Sequence, residues 1–546
     1  MVTEFSAREF VEQAAIKGIQ FAVEDGGLRT RSRPGAIDAE MAGLIRNNKQ
    51  AIMDWVAGNT PFVSAERCPL RPRADRASPA PLSLAQERFW FIDRLTRLGE
   101  QYNLYAALRI RGDFDADIAR RALQLSIDRH ETLRMVYRQE GEDGAVHQVP
   151  VSDARLHMPV HDFRDIPETA REQRLSEVVH ENASKPFDLS NDLMFRASLV
   201  RLRDNEVVLL ISMPHIAADG WSTLVLEKEF VPWYVAMREG REVQAPPLAI
   251  TYGDYAVWQR ERMHDREAAR QLAYWERSLR GAPPVHGLPL DRPRRSDSRH
   301  PAGRFGFMLD RSLYEALKTF AYESNATLFM LLHAAFSIVL ARHSDHPDIV
   351  VGTPVMNRLE KPLEALFGCF VNILALRVRC RPDETFRDFL KQVRDVNLDA
   401  LNNQEITFEQ VVDRMSPERS GLHAPLFQIM FSMGMPRTGT ARGVPGLDIE
   451  RMEYVATVAK FDLSLYAQDE GPDLFFGIEY DADLFDLSSI ERMGSHFTYT
   501  LEQVTSNPDA ALSSLRLTPA SRVREIAQTW GCGAVQPIPP GSVDEA

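Results

Sequence analysis

The sequence predicts an α+β fold for most of this chain of 546 residues. Runs typical of strands and of helices follow one another from about residue 82 to residue 517, without the regular alternation of a parallel β–α–β sheet. The second half resembles the first in its kinds of element, although no sequence repeat is visible. Because the chain is too long for one hydrophobic core, about two to four structural units are expected.

Short apolar runs rich in β-branched and aromatic residues predict strands at 104–110, 206–213, 349–352, 373–378 and 474–480. Apolar residues at helical spacing predict helices at 116–128, 223–237, 311–322, 328–342 and 385–401. Ser222 is the expected N-cap of the helix at 223–237. No regular structure is expected after about Ala520.

Residues 1–58 are predicted to form a small separate unit, followed by a linker at 59–81 that is rich in Pro, Arg, Ala and Ser. A helix from Ser6 to Gly18, a β-hairpin at 19–31 and a second helix from about Asp38 are its expected elements. Such a unit buries little surface, so contact with a partner is its expected role.

Cationic side chains mark the second strand of this hairpin. They are Arg29, Arg31 and Arg33, with Lys17 nearby. Cations on an exposed edge strand protect against aggregation. They can equally accept an extended acidic peptide as an added strand, and the residues alone leave both interpretations open.

Composition and motifs disfavour several classes of function. A formal net charge of −13 argues against nucleic-acid binding, which needs a basic face. The four cysteines are scattered, which predicts reduced thiols and neither a disulfide framework nor a zinc site. No secretion signal or membrane span is predicted, so a cytoplasmic protein without membrane contact is expected. The sequence also lacks the patterns of serine hydrolases, P-loop enzymes and dinucleotide-binding turns.

His215 follows the buried strand predicted at 206–213. Imidazole titrates near pH ~6.5, so a histidine held at the end of a rigid strand suits general-base chemistry. The alternative is a hydrogen-bonded histidine of the core, and position alone does not decide between the two.

Eight short motifs in a fixed order resemble those of the condensation domains of nonribosomal peptide synthetases. They are Ser83–Trp90, Arg129–Arg134, Pro214–Gly220, Tyr252–Trp258, Gly352–Arg358, Gly368–Asn372, Asn403–Glu409 and His423–Gln428. The resemblance covers most of residues 82–517.

This resemblance implies two chloramphenicol-acetyltransferase-like lobes in a V-shaped pseudo-dimer. The lobes are expected at 82–270 and 271–517, with a residual linker and tail at 518–546. A tunnel between them would admit phosphopantetheine arms of partner carrier proteins from two faces. The domain would need no cofactor or metal of its own.

The resemblance also implies roles for the motif residues. His215 would be the catalytic histidine, which either accepts the proton of the nucleophile or stabilises a zwitterionic tetrahedral intermediate. The Gly220 amide is the candidate oxyanion donor. Asp219 would pair with Arg358 and hold the loop in shape, rather than form a dyad with the histidine.

Two further positions bear on the site. Pro214 stands where the family has its first histidine, a position that mainly supports the loop, so activity is expected to survive. Trp221, after Asp219 and Gly220, supports the site and disfavours the cyclisation and epimerisation types.

Residues 1–58 resemble the β-hairpin docking domains of the same synthetases, which favours the binding interpretation of Lys17, Arg29, Arg31 and Arg33. The expected partner is an upstream carrier protein with a short linear motif at its C-terminus. We therefore expect a freestanding enzyme that transfers an acyl chain to an amine or hydroxyl, on an acceptor carrier or on a free small molecule, in the manner of standalone chain-releasing condensation proteins. The alternative is a catalytically silent platform that recruits partners.

Overall fold

The structure is a computed structural model. The chain forms two compact units, Met1–Pro69 and Leu70–Ala546. It describes residues 10, 20–24, 27–31, 39–53, 69–96, 102–140, 144–263, 265–295, 298–344, 346–415, 422–434, 444–452, 458–471 and 473–530.

The smaller unit contains the predicted hairpin and the predicted second helix. Strands β1 (Gln20–Glu24) and β2 (Gly27–Arg31) pair antiparallel, and helix α1 spans Ala39–Asn47. Apart from Phe10, the predicted first helix lies outside the described residues. Ile52 is fully buried in this unit, consistent with a helix that packs one apolar face.

The first half of the larger unit carries a five-stranded sheet and a three-stranded sheet. Its elements are β3 (Ala80–Pro81), α2 (Leu84–Thr96), β4 (Asn103–Gly112), α3 (Ala116–Arg129), β5 (Met135–Gln139), β6 (Val146–Pro150), β7 (Val160–Asp162), α4 (Glu168–Ser184), β8 (Arg196–Arg203), β9 (Glu206–Pro214), α5 (Gly220–Arg238), α6 (Tyr252–Arg262) and α7 (Arg266–Leu279).

The second half carries a six-stranded sheet of order β10-β16-β15-β13-β11-β12. Its elements are β10 (Ala302–Leu309), α8 (Arg311–Glu323), α9 (Leu328–Ser344), β11 (Asp348–Val355), β12 (Asn372–Arg379), α10 (Phe386–Asn402), α11 (Phe408–Met415), β13 (Ile429–Met433), β14 (Leu447–Met452), β15 (Leu463–Asp469), β16 (Leu474–Asp481), α12 (Leu487–Ser506) and α13 (Ala520–Trp530).

The strands and helices predicted between residues 104 and 480 are confirmed, with shifts of a few residues at their ends. Every residue of β9 is buried, which explains why this strand reads as a continuous apolar run rather than an alternating one. The predicted buried helix α9 is enclosed from Met330 to Leu340. Hydrophobic packing therefore agrees with the local sequence pattern in both halves.

One strand joins the two halves. β14 comes from the second half of the sequence but pairs antiparallel with β4 in the sheet of the first half, with Ile449 opposite Ile110. Arg111 reinforces this pairing through ion pairs with Asp448 and Glu450. The sequence pattern did not predict this strand, because most of its side chains are exposed.

Three segments differ from the sequence-based expectation. Residues 70–81, expected in the linker, belong to the larger unit, where Arg73 and Arg76 both pair with the buried carboxylate of Asp254. The expected lobe boundary at 270/271 falls inside α7, whose Trp275 is buried in a core of the second half. The chain after Ala520 is helical as far as Trp530, with apolar residues at helical spacing.

No single helix in the described part of the chain is both long and apolar enough to cross a membrane. Only α8 and α9 together reach the required length and composition, and they are bent by 106° to each other.

Candidate active site

His215 lies immediately after the buried strand β9, as predicted. Its main-chain N–H donates to the carbonyl of Tyr102 at 2.8 Å, and this bond continues the pairing of β4 with β9 beyond Pro214. The imidazole stacks on the ring of Phe89, with centroids 5.4 Å apart and planes 6° apart. The end of the β4–β9 pairing therefore fixes the position of His215, and the ring of Phe89 orients the imidazole.

The imidazole of His215 differs from the hydrogen-bonded core histidines of the same unit. His130 contacts the Glu229 carboxylate at 3.0 Å, and the Nδ1 of His333 contacts the Asn397 amide at 3.1 Å. The Nδ1 of His215 and the Nε2 of His333 are both buried without a hydrogen-bond partner among the described residues. His130 and His333 are buried residues, whereas part of His215 is accessible to solvent. This accessibility favours a role for the His215 ring beyond core packing.

Protein surrounds the His215 ring, yet part of the residue remains accessible to solvent. Both observations hold for a side chain at the floor of a recess that water can enter. Phe89 and Tyr102 are also partly accessible there, and Lys460 is exposed. We call these four residues the histidine recess.

Burial lowers the pKa of His215 to about 3. The positive charge of Lys460 lowers it further, and that of Arg88 does so to a smaller extent, while the nearby main chain of Ala218 raises it. At neutral pH the ring is therefore uncharged, and its nitrogen lone pair can accept a proton.

Asp219 is the N-cap of α5, so the expectation that Ser222 caps this helix was wrong. The Asp219 carboxylate accepts a hydrogen bond from the Ser222 main-chain N–H at 3.0 Å, and the Ser222 hydroxyl accepts one from the Asp219 N–H at 3.1 Å. This reciprocal capping box starts the helix at Gly220, a few residues earlier than predicted. Serine is also a common N-cap residue, so a serine at the third helical position was mistaken for the N-cap.

The structure brings Asp219 and Arg358 together. The Arg358 guanidinium donates to the Asp219 carboxylate at 2.6 Å and 3.1 Å, and both side chains are almost fully buried. The same carboxylate accepts the main-chain N–H of Phe370 at 3.1 Å. Asp219 therefore uses its oxygens to hold the loop and to join the two halves.

Gly220 is the first residue of α5, so its main-chain N–H has no acceptor within the helix. The residue is exposed, and a Cβ placed there would meet no other atom within 4 Å. The amide lies at the positive end of a helix, where a developing negative charge is stabilised.

Pro214 and Trp221 flank the loop. Pro214 is buried opposite Asn103 in the sheet, and its carbonyl accepts the Ala217 N–H at 3.0 Å. The Trp221 indole N–H donates to the Glu364 carbonyl at 2.8 Å, which is a second link between the halves.

Sequence reasoning did not assign Arg88, Phe89, Tyr102 or Lys460 to the site. Arg88 and Phe89 lie within the first motif, so that motif could have indicated them as site residues. Nothing in the sequence indicated Lys460. It follows His215 by more than two hundred residues, and only the tertiary structure brings its charge near the ring.

Of the four predicted docking residues, Arg29 and Arg31 lie on β2, opposite Ala22 and Gln20 of β1. They are two residues apart, so they share one face of the strand. Lys17 and Arg33 lie outside the described residues.

No group of three or more His, Cys, Asp or Glu side chains that could hold a metal ion occurs in the described ranges.

Comparison with known proteins places most of the chain in one family. Residues 77–527 match the Condensation domain family. A linear gramicidin synthase protein of Brevibacillus parabrevis is 37% identical over 82% of this chain, which spans 6% of that protein. Phosphinothricin tripeptide synthetase PhsC of Streptomyces viridochromogenes is 36% identical over 84% of this chain, which spans 42% of that protein.

Solved structures agree with the fold. The X-domain from teicoplanin biosynthesis is 26% identical and has a TM-score of 0.73, over 82% of this chain and 100% of that one. A four-domain nonribosomal peptide synthetase has the same TM-score over 82% of this chain and 34% of its own. The expected two-lobed, chloramphenicol-acetyltransferase-like α+β fold is therefore confirmed.

Condensation domains are acyltransferases that form amide bonds in nonribosomal peptide synthetases. They work with carrier-protein partners, act on substrates bound to phosphopantetheine and need no cofactor of their own. The fold, the ordered motifs and the match over residues 77–527 show that this chain belongs to the condensation domain family.

Proposed function

We propose that this chain transfers an acyl group from the phosphopantetheine thioester of a carrier protein to an amine or hydroxyl, with His215 as the proton acceptor. The observation that carries the proposal is a neutral imidazole, oriented by Phe89 and Tyr102, in a recess that solvent reaches. The main-chain N–H of Gly220, an exposed residue at the start of α5, is the oxyanion donor. The Asp219–Arg358 pair positions the loop and does not touch substrate.

The low pKa of His215 bears on when the proton moves. A ring with a pKa of about 3 is a weak base towards a resting amine or alcohol. The attacking atom becomes strongly acidic as its bond to the carbonyl carbon forms. We infer that the proton passes to His215 with or after the attack, and that expulsion of the phosphopantetheine thiolate then completes acyl transfer.

Intact-protein mass spectrometry tests this function. An acyl-loaded carrier protein is incubated with the wild-type chain and with a panel of amines and alcohols, and loss of the acyl mass is followed together with product formation. His215→Ala should slow transfer by at least ~10²-fold, the usual contribution of a general base. The control is Lys318→Met, which replaces an exposed lysine on α8. This variant should leave the transfer rate unchanged.

The second candidate is a catalytically silent platform that recruits partners. Two observations favour it: the X-domain neighbour, 25% identical, was solved in a complex with OxyB, and Pro214 replaces the first histidine of the core motif. Acyl carrier that persists equally with wild type and His215→Ala, for every acceptor tried, would support the platform and contradict the enzyme.

We further propose that the unit Met1–Pro69 docks the upstream carrier protein by binding a short acidic motif at its C-terminus. Support comes from Arg29 and Arg31 on one face of β2, in a hairpin of two paired strands. An extended peptide can add to such an edge through main-chain hydrogen bonds, while the arginines select acidic side chains.

A further inference from the structure

Lys460 places a positive charge in the histidine recess without an acidic partner. Its Nζ lies 5.3 Å from the centroid of the Tyr102 ring, and the carbonyl of Tyr102 is the one that anchors His215. Among the residues that the structure describes, no carboxylate lies within ion-pairing distance of this ammonium group. A cation over an aromatic face is stabilised only modestly, so the contact with Tyr102 does not replace a counter-ion.

Two acidic groups near the recess are already paired. Glu479, whose negative charge raises the pKa of Lys460, forms an ion pair with Arg304 at 3.0 Å. Glu409 pairs with Arg88 at 3.2 Å. Arg88 is therefore compensated, and Lys460 is the larger of the two positive charges that lower the pKa of His215. The unpaired charge of Lys460 makes the recess attractive to anions.

Burial of the unpaired ammonium is unfavourable, and it lowers the pKa of Lys460. The residue itself is exposed to solvent, although protein surrounds its ammonium group. A small ligand that enters with the solvent can therefore reach it. An anionic ligand would recover the solvation that Lys460 has lost.

We propose that Lys460 forms a subsite for the carboxylate of a free acceptor, which is an amino acid or a hydroxy acid. This inference rests on the proposed acyl transfer. The carboxyl group of an acyl donor is consumed in its thioester, and so is that of an acceptor held on a carrier. Unless its side chain is acidic, an acceptor on a carrier has no carboxylate near its nucleophile. A free acceptor always brings one within a few bonds of the atom that attacks next to His215, and the product then leaves as a free acid.

Matched acceptors test the subsite by turnover. Glycine is compared with glycinamide, and 3-hydroxybutyrate with 3-hydroxybutyramide, at fixed acyl-carrier concentration. Lys460→Met should raise the KM for the carboxylates by at least ~10-fold, the effect of losing a charged hydrogen bond, and should change the KM for the amides much less. Lys460→Arg should restore most of the preference. An equal loss of kcat for carboxylates and amides would instead show that Lys460 stabilises the oxyanion, and would overturn the subsite.

A binding measurement separates failure of the subsite from failure of the enzyme. The 13C-labelled ring of His215, assigned with His215→Ala, is followed by NMR while acetate or acetamide is added. Acetate should shift the signal in the wild type and in Lys318→Met, and at least ~10-fold more acetate should be needed in Lys460→Met. Equal acetate affinity in wild type and Lys460→Met would overturn the subsite, whether or not the protein transfers acyl groups. Acetate binding that depends on Lys460, without any acyl transfer, would leave the subsite intact and contradict the proposed function.

Discussion

The Arg358 guanidinium donates two hydrogen bonds, of 2.6 Å and 3.1 Å, to the buried carboxylate of Asp219. Asp219 comes from the loop after β9 and Arg358 from the segment after β11, so the pair connects the two halves of the larger unit. The carboxylate also caps α5, whose first amide is the proposed oxyanion donor. One ion pair thereby sets the geometry of the loop that carries His215.

Removal of one partner of this pair should destabilise the protein strongly. Asp219→Ala leaves the Arg358 charge buried and unpaired, and we expect a loss of ~3–5 kcal/mol in the free energy of unfolding, measured by chemical denaturation. The double variant Asp219→Ala/Arg358→Met should lose less than the sum of the two single variants. The exposed pair of Arg387 and Asp509 provides the control, and Arg387→Ala should change stability little. Equal effects of Asp219→Ala and Arg387→Ala would contradict a structural role for Asp219.

The pH dependence of stability should reveal the lowered pKa of His215. Its folded pKa of about 3 lies below the ordinary value of 6.5, so protons bind the unfolded chain more readily and the histidine costs stability as the pH falls below 6.5. At pH 5 this cost amounts to about 2 kcal/mol. His215→Gln should therefore be more stable than wild type at pH 5 and should lose that advantage at pH 7.5. A difference that does not vary with pH would show that the ring titrates normally.

The same pKa predicts the pH profile of acyl transfer. Protonation of His215 should not reduce kcat/KM at pH 6, because the ring remains neutral well below that pH. Lys460→Met removes a positive charge that lowers this pKa, so the acidic limb should move to higher pH in that variant. If the wild-type profile has an acidic limb centred near pH 6.5, and His215→Ala lacks it, the low pKa of His215 is refuted.

Pro214→Ala should preserve both the fold and turnover. Proline donates no hydrogen bond, and the loop is anchored by the N–H groups of His215 and Ala217, which follow it in the chain. We expect a stability change below ~1 kcal/mol and a transfer rate within a few-fold of wild type. Loss of transfer with unchanged stability would mean that the fixed φ of Pro214 shapes the site.

Charge reversal on the hairpin tests the docking proposal. Arg29→Glu/Arg31→Glu should weaken capture of a carrier protein that ends in an acidic motif, as measured by titration at low salt, and should leave the rate unchanged at saturating donor. Thr30→Glu introduces a charge on the opposite face of β2 and should have a smaller effect. Wild-type affinity in the double variant would place the interface elsewhere.

Local patterns were sufficient for much of this molecule. The β-branched run of β9 and the apolar spacing of α9 predicted their elements, because burial on all sides imposes a continuous apolar sequence. The motif after β9 singled out His215, Asp219 and Gly220, since a short loop between a strand and a helix keeps neighbouring residues together. The N-cap was misassigned because Asp219 and Ser222 cap each other reciprocally, and either residue type suits the position.

By itself the sequence determined the order of helices and strands, the family and the loop that carries the histidine, because these depend on residues close together in the chain. The tertiary structure alone decided the strand exchange of β14 and the placement of Lys460 beside Tyr102. It also decided the electrostatic state of His215, since burial and distant charges together depress its pKa. Contacts between residues hundreds of positions apart leave no periodic signal in the sequence, and the charge balance of the site depends on them.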